Sequence, residues 1–158
     1  MKKLYSIVAL ALLVCTLCAC GQKTVKEPDM QTVSEKVAAS FEAGDLSPIP
    51  DTYVESIMGI TADGYKSFDA HISAIGIVID EYGIFLANDA DQADELKAAL
   101  DKYIEYRRDA WMDEYLPDEK YKLDNAEVWK QGNFVMYAIL SDDDRAAAKQ
   151  AFESCFEG

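Results

Sequence analysis

The residues with the clearest chemistry are Leu17-Cys18-Ala19-Cys20. A thiol at Cys20, small Ala19 before it, Leu17 three positions upstream and Gly21 after it form the pattern of a lipobox. In such a pattern the thiol takes up a diacylglyceryl group as a thioether, and cleavage falls between Ala19 and Cys20. The freed amine is then open to a further acyl chain such as palmitate. One acyl chain holds a protein marginally at a bilayer and two hold it stably, at about 0.8 kcal/mol per buried methylene. The preceding stretch fits export: Met1-Lys2-Lys3 is positive, and Leu4 to Val14 is apolar apart from Ser6. It falls short of the roughly 20 apolar residues of a membrane span. The expectation is a signal peptide over 1–19, a lipidated Cys20 with a flexible tether over 20–30, and a single domain over 31–158.

Other reactive residue types give weaker patterns. His71 is the only histidine, on the polar side of an alternating stretch, and no G-x-S-x-G elbow accompanies it; it reads as a solvated strand residue rather than a base. Cys15 and Cys18 leave with the leader and Cys20 is lipidated, so Cys155 alone remains, which excludes an intrachain disulfide and a zinc site of ordinary composition. Cys155 reads as a small apolar residue near a helix end. Asp89-Ala90-Asp91 lacks the glycine and the twelfth-position glutamate of a calcium loop and reads as a helix start, as does Asp142-Asp143-Asp144. No two carboxylates stand out as a hydrolytic pair. The remaining cluster is Tyr106, Arg107 and Trp111, with Tyr103, Arg108 and Tyr115 nearby. Aromatics beside arginines stack on sugars or grip a carboxylate, whereas the same stripe at helical spacing also makes a core face with snorkelling arginines. No catalytic residue, metal or cofactor is expected.

The charge narrows the partners. With 29 acidic against 15 basic residues the chain carries −14, which repels phosphate backbones and anionic headgroups. Nucleic acid is excluded, and the domain is expected to stand off the bilayer.

These groups need a scaffold. Gly21 to Asp29 is polar and reads as a coil. Val33, Val37 and Phe41 recur at helical spacing up to Gly44, with Thr32 or Ser34 as cap. Asp45 to Asp51 reads as a proline loop, and Asp51 to Met58 as a short helix ended by Gly59. Phe68 to Ala74 alternates as a strand, and Tyr82 to Asn88 forms the next. Asp91 to Tyr115 reads as a helix about 35–40 Å long, ended by Leu116-Pro117. A second hairpin spans Ala126 to Leu140 around Gln131-Gly132-Asn133, and Ser141 opens a last helix. Tyr82-Gly83-Ile84-Phe85 and the helix after it align weakly with Phe134-Val135-Met136-Tyr137 and its helix. The reading is an α+β fold: two short N-terminal helices, then β-β-α-β-β-α, giving a mostly antiparallel four-stranded sheet with helices on one face.

The lipobox, Arg107-Arg108 to Tyr115-Leu116-Pro117, Lys122-Leu123-Asp124-Asn125-Ala126 and Gly132-Asn133-Phe134-Val135 together resemble a family of small lipoproteins of Firmicutes, chiefly clostridia. It is a domain-of-unknown-function family (number four-three-five-eight), and the resemblance runs from about Val33 to Phe156. Phe134 stands where the family often has tyrosine, and Tyr82-Gly83 where an aliphatic pair is usual. The resemblance supplies no catalytic residues. It implies a lipid-anchored protein on the outer face of the cytoplasmic membrane. The functional expectation is an extracytoplasmic accessory or partner-binding lipoprotein at the cell envelope, not an enzyme. The alternative is a small-ligand or glycan-binding lipoprotein using Tyr106, Arg107 and Trp111.

Overall fold

The side chain of Asp29 starts the first helix by accepting the Thr32 amide and hydroxyl, both at 2.9 Å. The computed structural model describes residues 27–42, 44–112 and 114–157; the expected leader, the expected Ala19–Cys20 cleavage site and most of the expected tether lie outside them. Helix α1 (Met30–Ala38) buries Val33 and Val37. Its cap is the carboxylate upstream rather than Thr32 or Ser34, because Asp29 lies where the free first-turn amides point.

Strand β1 (Leu46–Pro48) lies in the stretch expected as loop. Helix α2 (Asp51–Ser56) buries Val54, and Gly59 comes next at a φ of +70°. Strands β2 (Ser67–Ser73) and β3 (Glu81–Leu86) precede helix α3 (Ala90–Asp109). A single 3-10 turn (Pro117–Glu119) runs into the short helix α4 (Lys120–Asp124). Strands β4 (Glu127–Gln131) and β5 (Phe134–Ile139) and helix α5 (Asp142–Ser154) complete the chain. Gly132 takes a φ of +57° at the first of the two turn residues between β4 and β5, a position where an L side chain would be strained. Ser141 caps α5 by accepting the Asp144 amide.

The sheet has five strands in the order β1-β2-β3-β5-β4, every neighbouring pair antiparallel. Four strands were expected. The fifth, β1, is too short for alternation to register. At this edge Leu46 gives its N–H to Gly44 O at 2.7 Å and Ile49 gives its own to Ala70 O at 2.8 Å, while Pro48 pairs with His71.

Helices cover both faces of the sheet, not one. On one face Ala93, Leu96, Leu100, Tyr103 and Ile104 of α3 pack on Phe85, Val135, Tyr137 and Ile139. On the other, Val33 and Val37 of α1 and Ala148 and Phe152 of α5 pack on Tyr82, Ile84, Phe134, Met136 and Ala138. Strands β3 and β5 are therefore buried on both sides, as their near-continuous apolar runs require. The resemblance between the two halves holds for the strands and breaks at the helices. Phe85 and Tyr137 share a face and the caps Asp89 and Ser141 each lie four residues on, yet α3 returns over that face and α5 over the other.

Helix α3 stops at Asp109, short of the expected Tyr115. Beyond it Trp111 folds against the core, and the chain turns through Leu116 at a φ of +53°.

Candidate functional site

Among the described residues the most concentrated polar chemistry surrounds Glu81, which has no exposed surface. It opens β3 and shares that strand's α3-facing side with Gly83 and Phe85. Tyr103 and Tyr137 each donate a hydroxyl to its Oε1, at 2.6 and 2.7 Å, and Arg107 pairs with its Oε2. Arg107 also donates to Tyr103 Oη at 2.7 Å, and Tyr53 Oη stands 3.0 Å from the same oxygen. Burial, followed by the negative charge of Glu81, pushes the phenols of Tyr103 and Tyr137 far above their ordinary range. Burial works against the Arg107 charge, but Glu81 and Tyr103 outweigh it and hold the guanidinium firmly protonated. Both carboxylate oxygens are thus engaged. The cluster is a clasp joining β3, β5, α3 and α2 around a carboxylate with no exposed surface.

A second ion group fastens the connection between β2 and β3. Buried Lys122 reaches Asp80 at 2.9 and 3.1 Å and Glu119 at 2.8 Å. The same Glu119 carboxylate accepts the Ile79 amide at 3.2 Å, and Tyr115 donates its hydroxyl to Gly76 O at 2.7 Å. Burial opposes the Lys122 charge, but its bonds to Glu119 and Asp80 prevail and raise its pKa. Segment 74–80 and segment 111–119 are thereby held side by side.

These two segments present large apolar side chains outward, beside the exposed acids Glu114 and Asp118. Ile77 is 69% exposed, Met112 65% and Tyr115 55%, with Ile75 and Tyr106 also open to solvent. The patch lies at the end of the sheet where β2 turns into β3. The β4–β5 turn marks the opposite end, and there Glu27 accepts the Asn133 amide at 3.2 Å. A six-residue strand and a 20-residue helix separate the two ends by about 20–30 Å.

The residues singled out from sequence take separate environments. Arg107 turns its head inward to Glu81, Trp111 packs on the core with its indole nitrogen buried and unpartnered, and Tyr106 is exposed. His71 bonds Asp69 at 2.9 Å and stacks on Tyr82. Cys155 is half-buried and its thiol donates to Ala151 O at 3.3 Å; burial raises its pKa. Cys20 and Ala19 lie outside the described residues. No group of three or more metal-ligating side chains is assembled among the described residues, and none of their helices is long and apolar enough to cross a membrane.

Open hollows lie elsewhere. One of about 370 Å³ is lined by Gly59, Ile60, Thr61, Gly64, Glu95 and Leu96, without the convergent polar groups of a ligand site. Another lies beside Trp129, where Arg145 is paired with Asp142 and Glu127 and the indole N–H donates to Glu127.

Glu81 and the Ile77–Tyr115 patch were not singled out from sequence. The signal for Glu81 was a carboxylate, next to Asp80, at the head of an apolar run, with Tyr103 and Arg107 one helical turn apart downstream. For the patch it was Ile75-Gly76-Ile77, apolar yet interrupted by glycine.

Residues 39–140 match the family described as Domain of unknown function (DUF4358), and the chain belongs to it. Neither the curated proteins nor the solved structures give a match.

Proposed function

For this member of the DUF4358 family, we propose a lipid-anchored extracytoplasmic protein that binds an envelope protein through its Ile75, Ile77, Met112 and Tyr115 end. The anchor rests on Leu17-Cys18-Ala19-Cys20 and the charged, then apolar, leader before it. The binding role rests on one observation above all, the exposed apolar end lying opposite Glu27. Gly21 to Lys26 is all that separates Cys20 from Glu27, a reach of at most about 25 Å. An anchor at Cys20 therefore places the β4–β5 turn toward the bilayer and the apolar end away from it. Large apolar side chains held in a bonded frame, rather than in a loose loop, favour a protein contact.

Two measurements test this. Cys20→Ser should leave the precursor unprocessed and without incorporated lipid label; normal maturation would refute the anchor. A benzophenone amino acid at position 77 should crosslink to a specific protein in intact cells, while one at position 131 should not. Lipid adducts alone at position 77 would refute the binding role.

A further inference from the structure

We infer that the apolar end is built to take a basic segment, one in which Lys or Arg side chains flank apolar ones. This rests on the partner-binding reading above and names the chemistry of the partner.

From Asp109 to Glu119 the sequence holds Asp109, Asp113, Glu114, Asp118 and Glu119 and no basic residue. Asp109, Glu114 and Asp118 are exposed around Met112 and Tyr115. Across the patch, 74–79 bears no charge of either sign, and Asp80 and Glu119 are taken up by Lys122. Except for exposed Lys102, one turn before Tyr106 on α3, the neighbouring cations face inward or are occupied. Arg107 pairs with Glu81, Arg108 donates to the carbonyls of Leu123, Asp124 and Ala126, and Lys120 already has a partner.

Two exposed phenol rings, Tyr106 and Tyr115, add faces on which an ammonium or guanidinium stacks. Apolar side chains for the partner's anchors, carboxylates at the rim and open aromatic faces all select the same ligand chemistry. A second copy of this acidic chain would bring like charges together. An anionic bilayer is opposed both by the rim and by the position of Glu27.

The test is the position-77 crosslink in intact cells, read at the level of the crosslinked peptide. The adduct should carry Lys or Arg within about one helical turn of the crosslinked apolar residue. Replacing Asp109→Lys, Glu114→Lys and Asp118→Lys together should cut its yield at least tenfold. Glu42→Lys, Glu55→Lys and Glu157→Lys together, on exposed acids elsewhere, should leave it unchanged. Melting curves for both triple variants should match the parent, and a lowered curve for the first is met by testing its three changes singly.

An adduct peptide without basic residues, or a yield indifferent to the first triple, overturns the basic chemistry and leaves partner binding standing. An adduct with this chain's own sequence overturns it in favour of self-association. No protein adduct at position 77 in a normally folded, normally processed protein overturns the binding reading itself.

Discussion

The ring of Tyr137 occupies the space into which a side chain on Gly83 would project. A Cβ at Gly83 would stand 2.5 Å from Tyr137 Cε1 and 2.8 Å from Ala70 Cβ. The missing side chain lets the phenol lie across β3 and reach Glu81.

Gly83→Ala should therefore destabilise the fold, although alanine normally suits a strand better than glycine. Overpacking of this kind costs about 1–3 kcal/mol. Urea denaturation should show a lower midpoint with an unchanged slope; an unchanged midpoint would mean that the ring moves aside freely.

Glu81→Gln should cost about 3 kcal/mol or more, because it leaves the Arg107 charge without its counter-ion in a largely buried place. Tyr137→Phe removes one hydrogen bond to the carboxylate and should cost about 1–3 kcal/mol. The double variant Glu81→Met/Arg107→Met should lose less than Glu81→Gln alone. Denaturation of the three variants measures the ordering, and a double variant less stable than Glu81→Gln would show that the unpaired Arg107 charge is not what makes that loss large.

Alkaline pH should unfold the protein through its tyrosines. Burial, followed by the nearby Asp69, pushes Tyr82 up to about 12, and Tyr103 and Tyr137 are raised further. Each phenol binds its proton more tightly folded than unfolded, so its stabilisation is complete below the ordinary value of about 10. That stabilisation is lost as pH climbs through the raised value. Melting temperature should fall steeply between about pH 10 and 12. Tyrosinate absorbance should show these three phenols ionising only with unfolding, and Tyr82→Phe should soften the decline.

Lys122→Met should loosen the connection between β2 and β3 without melting the sheet. Hydrogen exchange at the Ile79 and Ser73 amides, bonded to Glu119 and to Asp80 O, should quicken by about tenfold, the equivalent of ~1.4 kcal/mol. The Phe85 amide, deep in the central strand, should exchange as before. Equal acceleration at both sites would mean that Lys122 supports the whole fold.

The sequence made the central strands legible because Tyr82 to Leu86 and Phe134 to Ile139 are unbroken apolar runs bounded by turn residues. The helix starts at Asp89 and Ser141 were equally readable, since a capping side chain acts on amides only three residues away. The side of the sheet each helix covers was not readable. Both caps lie four residues beyond the same-face residues Phe85 and Tyr137, so neither spacing nor apolar periodicity separates the two directions. Strand β1 escaped because a distant partner, Ser73 beside Leu46, makes it a strand. The Glu81 clasp escaped for the same reason, its partners coming from α2, α3 and β5. Tyr106, Arg107 and Trp111 are close in sequence, but Arg107 answers to a carboxylate on another element.

The outer margin of β1 bears on crowding. Leu46 gives its N–H to Gly44 O, Pro48 has none, and the alternation set by Ile49 turns Ser47 inward toward β2. That margin offers no row of donors to a passing strand. Neighbouring copies packed densely would find no donors at this margin, which leaves β4 (Glu127–Gln131) as the edge open to strand addition.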